Sequence, residues 1–389
     1  MHRLSSQQIL AQLIAFDTTS SKSNLGLIDH VRDYLAGYGV DSRLVMDATG
    51  QKANLWATIG PADRPGVILS GHTDTVPVEG QDWASDPYVL TERDGRLYGR
   101  GACDMKGFLA CALAAVPDLV ARDLARPVHL AFSYDEEVGC VGVIGLLEML
   151  RAEALRPAMC IVGEPTLMQV VIGHKAKRSM RVTVRGRSCH SSLAPQGVNA
   201  VDYAARLAVR MQDIAARLAA TGGRDTDYDI THSTAHTGTI HGGTALNIVP
   251  DLCTLDCELR VLPHEDADAL VQELRDYARN ELEPMMQRIA PEAGIEIDLY
   301  AQFPGLETAP DAEIVTLAKR MVGSNAHSKV AFGTEGGRFA EALGVPTIIC
   351  GPGAIAQAHK PDEYIEPSQL AACDDFLRQI ADWAAGTDH

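Results

Sequence analysis

The apolar positions of this chain change their period twice. In the first half, short continuous apolar runs at Val67–Leu69, Val128–Ser133 and Met159–Val162 alternate with longer alanine- and leucine-rich stretches at Phe108–Val120 and Gly142–Arg151. Unbroken apolar runs belong to strands covered on both faces, so their alternation with helical stretches predicts a mostly parallel sheet with helices on both faces. At the start of the chain Leu4, Ile9, Leu13 and Phe16 recur at roughly helical spacing.

Near residue 178 the period falls to two. In Ser179–Arg187, Met180, Val182 and Val184 alternate with Arg181, Thr183 and Arg185, which predicts a sheet with one wet face. A helix over Val198–Ala219 follows, then a turn region at Thr221–Asp229 and alternating strands around Thr237–His241 and Asp251–Val261. A helix over Asp266–Arg288 and a strand at Ile295–Tyr300 complete the order of a small α+β sandwich. From Phe303 the earlier style returns, with a helix at Ala312–Met321 and a buried strand at Thr347–Cys350. The expected organisation is an α/β domain over residues 1–177 and 301–389, interrupted at 178–300 by an inserted α+β domain.

Composition narrows the function without choosing it. With 389 residues, 46% hydrophobic and 22% charged, the chain can bury two cores, and no apolar run reaches the length of a membrane helix. The net charge of −17 excludes the basic stripe that nucleic acid requires and suits a cationic ligand. The N-terminal segment lacks the unbroken apolar core of a signal peptide, and the nine cysteines contain no C-x-x-C pair, so reduced thiols and a cytoplasmic location are expected. Cys253 and Cys257 fall on one face of an alternating strand and read as core residues.

Candidate chemistry gathers at the ends of the apolar runs. Val67–Leu69 leads into His72 and Asp74, Val128–Ser133 into Asp135, Glu136 and Glu137, and Met159–Val162 into Glu164. Asp104 lies in a glycine-rich loop before the Phe108–Val120 helix, and His359 follows Thr347–Cys350. In a doubly wound sheet the carboxyl ends of the strands line the ligand crevice, so these groups are expected to converge. Any one of them alone reads as a helix cap or a surface group. Two histidines and three carboxylates on successive strand ends read as a site for borderline cations such as zinc, and a second metal requires a shared carboxylate.

The segments GHTDTVPVEGQDWASDP, DGRLYGRGACDMKG, YDEEVGCVG, VGEPT, RGRSCHSSLAPQGVNAV, GGTALNIVPD and CGPGAIAQAHKPDEYI occur in this order. Together they resemble the dinuclear zinc deacylases and peptidases, and the resemblance extends to about residue 366. It implies two zinc ions per subunit, for which cobalt can substitute. His72, Asp104 and Glu164 would hold one ion and Asp104, Glu137 and His359 the other, with Asp104 as the bridge. Glu136 matches the general base, and Asp74 the carboxylate that orients the ring of His72. His190 matches the histidine that reaches from the inserted domain of the partner subunit in a homodimer to stabilise the oxyanion. Asn247 and Arg260 match positions that hold the substrate carboxylate.

The implied reaction is hydrolysis of an N-acyl amino acid. The segment FGTEGGRF at 332–339 is most similar to members acting on N-acetylornithine, where Glu335 faces a side-chain ammonium or serves as a helix N-terminal residue. A desuccinylase, a broader aminoacylase or a dipeptidase remains open at this point. A non-catalytic binding protein on the same fold would be expected to lack Glu136 or a ligand, and none is missing.

Overall fold

A computed structural model describes residues 3–153 and 157–387. The chain divides into two compact units, one of Met1–Gly173, Leu306–Lys329 and Thr334–His389, the other of His174–Gly305 and Val330–Gly333. The second unit thus begins a few residues before the expected insertion and ends a few after it, and it also takes in a short later segment.

The first unit is built on a nine-stranded sheet among the described residues. Val67–His72 lies between Val128–Ser133 and Met159–Pro165, parallel to both, and Thr347–Gly351 pairs in parallel with Met159–Pro165. All four strands are buried along their whole length, the burial that their unbroken apolar runs predict. The register sets His72 opposite Ser133 and Gly351 opposite Pro165, so the strands finish at one level. Antiparallel strands Ser42–Met46 and Ala53–Ile59 extend one side of the sheet, where the sequence pattern showed no clear strand.

Helices complete the layers. Ser6–Ile14 starts with a capping box between Ser5 and Gln8, and it packs with Lys106–Ala121 and Pro367–Ala385. Lys106–Ala121 is buried on nearly every side, which its continuous run of apolar residues permits. Phe108 of this helix lies so close to Met159–Pro165 that a Cβ at Gly163 would come within 1.9 Å of its ring. Only glycine fits there, one residue before Glu164. Val143–Ala152 and Gly336–Leu343 pack together as a separate pair.

The second unit carries a four-stranded antiparallel sheet in the order Thr234–Gly242, Leu252–Val261, Ala176–Arg185, Gly294–Phe303. Met180, Val182 and Val184 face Cys257, Leu255 and Cys253 across the ladder, and all six are buried. Leu207, Met211 and Ile214 of Ala200–Thr221 and Leu270, Val271 and Leu274 of Ala267–Tyr277 complete this core. Asn199 and Asp266 cap the two helices through their side chains. The single helix expected over Asp266–Arg288 is broken by a wider turn at Ala278–Leu282, where the Glu283 N–H reaches the Ala278 carbonyl. Pro284 has no N–H to continue the ordinary ladder, which accounts for the change of pitch. All nine cysteines are free thiols, and Cys253 and Cys257 are buried in this core.

One buried histidine ties stability to pH. His129, 4% exposed, stacks on Trp56 with ring centroids 4.7 Å apart and pairs with Thr58 at 3.0 Å. Burial lowers its pKa to about 4. Between pH 6.5 and 4 the unfolded chain therefore takes up a proton that the folded chain refuses, and stability falls with falling pH. Urea unfolding should show a loss on the order of 3 kcal/mol from this group across that window. His129→Gln should lose less stability over the same range; identical pH profiles would overturn the assignment.

Candidate metal centre

The level strand ends deliver the predicted side chains to one place. His72 Nε2 lies 3.1 Å from Asp104 Oδ1 and 3.6 Å from Glu164 Oε1. His359 Nε2 lies 3.2 Å from Asp104 Oδ2 and 3.0 Å from Glu137 Oε2. Asp104 thus turns one oxygen to each ring, the disposition of a shared ligand. Ligand atoms of His72, Asp104 and Glu137 lie within 4.8 Å of one another, as do those of His72, Glu136 and Glu164. The His72 side chain is 1% exposed and that of His359 is 51% exposed.

The donor set calls for a cation. His72 Nδ1 is 2.9 Å from the carbonyl oxygen of Asp74, a contact that needs an N–H. Its Nε2 faces two carboxylates, so a neutral ring would aim a lone pair at negative oxygens. Burial works against protonating this ring, yet bonds to Asp104 and Asp74 hold its pKa well above the usual histidine value. Bonds to Asp104 and Glu137 raise His359 to about 10. Burial drives the other carboxyls upward, Glu137 to about 7, Glu136 to about 8 and Glu164 well above its ordinary value. Burial also opposes ionisation of Asp104, but the two rings hold it below the usual range. A divalent cation facing the rings would relieve each of these conflicts, so the residues fit metal.

Asp74 stands beside the His72 ring and also reaches beyond it. Its carboxylate lies 3.5 Å from His72 Nδ1, farther than its own main-chain oxygen, which orients the ring. The carboxylate also accepts the N–H groups of Glu136 and Glu137 at 3.1 and 3.3 Å and the Ser20 hydroxyl at 2.7 Å. Nothing in the local pattern around Ser20 marks it for this contact. Glu136 itself is partly exposed, and its Oε1 accepts a weak bond from the buried Cys140 thiol at 3.2 Å.

Glu335 requires a correction. It is 1% exposed and bonded to Ser133 and Ser70, so its carboxylate is taken up inside the sheet instead of meeting a substrate ammonium. It occupies the N-cap position of Gly336–Leu343, the alternative the sequence left open.

His190, Asn247 and Arg260 belong to the second unit. The first two are exposed neighbours, since the Ser191 N–H donates to the Asn247 carbonyl at 2.9 Å and His190 bridges to Ile248. His190 Nδ1 accepts the Ser192 N–H at 3.2 Å, which places the proton of a neutral ring on Nε2. Arg260 stands on the polar face of its strand and donates from Nε to Glu258 at 2.6 Å.

Fold and site together define a metal-dependent hydrolase, and comparison with known proteins gives the same class. Residues 68–383 match peptidase family M20/M25/M40, and the chain belongs to that family. Among relatives, acetylornithine deacetylase from Myxococcus xanthus is 36% identical over 383 residues, covering 97% of each chain. Acetylornithine deacetylase from Proteus mirabilis is 33% identical over 378 residues, 96% of this chain and 94% of that one. The fold is similar to that of an M20 family metallo-carboxypeptidase from Sulfolobus solfataricus, with TM-score 0.76, 18% identity and coverage of 98% and 99%. It is also similar to a tripeptidase from Staphylococcus aureus, with TM-score 0.74, 21% identity and coverage of 99% and 100%. Among the described residues no helix is long and apolar enough to cross a membrane.

Metal uptake must expel the protons that these side chains hold. Because the ligands Glu137 and His359 sit at about 7 and about 10, affinity should rise with pH from 6 to 9. Titration calorimetry in buffers of different ionisation enthalpy should show more protons released at pH 6 than at pH 9, with about two Zn²⁺ bound per chain. No zinc bound, or proton release independent of pH, would overturn this account of the site.

Proposed function

We propose that the chain is a two-zinc amidohydrolase that converts N-acetyl-L-ornithine to L-ornithine and acetate, a step of arginine biosynthesis. The observation that carries the metal part is Asp104, whose two oxygens face two different histidines at 3.1 and 3.2 Å. His72, Asp104 and Glu164 are assigned to one ion and Asp104, Glu137 and His359 to the other. Bound there, zinc supplies the Lewis acidity that polarises an acyl carbonyl and acidifies water. The acyl group and amino acid are proposed from the names of the relatives at 33% and 36% identity.

The chain's own groups account for the proton transfers. Glu136 accepts the proton of the attacking water at its carboxylate and returns it to the leaving amine nitrogen. Asp74 holds the main chain of Glu136 while it does so. Asn247 and Arg260 are assigned to the substrate carboxylate, for which the planar fork of arginine is suited.

The proposal includes a homodimer through the second unit, with His190 of one subunit donating to the oxyanion formed at the other. Thr234–Gly242 is an edge strand whose main-chain groups an identical edge can pair, and Ile240, 47% exposed, and Leu246, fully exposed, lie on and just beyond it.

A site that recognises a charged side chain rejects analogues lacking it, because its polar groups are then left unpaired. N-acetylornithine should therefore exceed N-acetylnorvaline in kcat/KM by roughly 10²-fold or more. Equal values would favour a broad aminoacylase instead.

The trans role of His190 has its own test. Glu136→Gln should keep its metal and lose roughly 10² or more in kcat, and His190→Ala should be similarly weak. Mixing the two under subunit exchange should restore one working site per heterodimer. No activity beyond that of the separate variants would remove the dimer from the mechanism.

A further inference from the structure

Glu363 and Arg100 form an ion pair at 2.8 Å, each side chain 1% exposed, and neither is among the groups assigned to metal or substrate. Burying two charges costs desolvation, and an apolar pair of similar volume would serve packing as well. The arrangement around Glu363 does what an apolar pair cannot. Its Oε1 accepts the main-chain N–H groups of Cys103 and Asp104 at 2.8 and 3.0 Å, and its Oε2 accepts that of Gly101 at 2.9 Å. The Gly99 N–H donates to the Glu363 carbonyl at 2.9 Å. The loop that presents Asp104 is therefore pinned at four successive points to a residue four positions beyond His359.

Arg100 extends the clamp to the other side of His359. Nη2 donates to Gln81 Oε1, and Gln81 Nε2 donates to the His359 carbonyl at 3.2 Å. Nη1 approaches the Lys360 carbonyl at 3.4 Å, while the guanidinium lies over the Trp83 ring at 5.0 Å. His359 needs such support, because its side chain is half exposed and its backbone has φ of 63°, in the left-handed region.

We propose that Glu363, Arg100 and Gln81 are positioning residues of the metal centre, setting the distance between the Asp104 carboxylate and the His359 ring. The inference rests on the reading of that cluster as a metal site. Groups of this kind hold ligands in place without touching the ion, and their loss weakens metal binding by about 10- to 100-fold.

The test uses the full chain stripped of metal and titrated with Zn²⁺ against a chromophoric chelator. Glu363→Gln should weaken the looser of the two zinc equivalents by about 10- to 100-fold, with kcat recovering toward wild type at saturating zinc. Gln81→Ala, at a partly exposed position, should weaken it several-fold while leaving the melting temperature of the metal-free chain unchanged. Zinc isotherms that superpose on wild type, with only melting temperature or activity lowered, would reduce these residues to ordinary packing and overturn the proposal. If Glu363→Gln does not fold, the Gln81→Ala isotherm decides by the same criterion. A wild-type chain that binds no zinc would overturn the metal reading itself, an outcome distinct from intact zinc binding in the variants.

Discussion

Six carboxylates, those of Asp74, Asp104, Glu136, Glu137, Glu164 and Glu335, are gathered around two imidazoles where little water reaches most of them. Like charges at this spacing cannot all ionise, so some of the carboxyls retain protons while both rings hold extra ones. A fold tolerates such a cluster only if its backbone is fixed by something other than the cluster. The parallel strands do this here. Their hydrogen bonds and wholly buried faces hold the strand ends level against the repulsion, and cations can then enter a geometry that already exists.

This division of labour explains which features were legible beforehand. Val67–His72, Val128–Ser133 and Met159–Pro165 are apolar without alternation because both faces are covered, and each passes to polar residues where the sheet ends. The positions of His72, Glu136, Glu137 and Glu164 relative to the sheet follow from that transition alone. The second unit was legible for a different reason: its strands alternate strictly, and the observed register pairs the apolar sets of neighbouring strands.

What escaped the sequence lies in contacts between distant segments. Glu335 is 202 positions from Ser133 and 265 from Ser70, and no local pattern reveals that these serines consume its oxygens. The motif around it is compatible with a substrate ligand and with a helix N-terminal residue, and only the fold separates the two. The strand Ser42–Met46 gives a weak apolar signal because it is only partly buried. The break at Ala278–Leu282 had a visible cause in Pro284, but a strong apolar stripe from Leu270 onward outweighed it in the pattern.

Asp74 shows why the site must be treated as one unit. Its carbonyl orients His72, and its carboxylate holds the N–H groups of Glu136 and Glu137. One residue therefore links a ring assigned to one ion, the proposed base and a carboxylate assigned to the other ion. Replacing the side chain leaves the main-chain bond to the ring possible, but removes the carboxylate beside Nδ1 and the anchor of Glu136 and Glu137. Loss of the Asp74 carboxylate thus acts first on the base segment, and its effect cannot add independently to a change at Glu136, because both reach the chemistry through the same few backbone atoms.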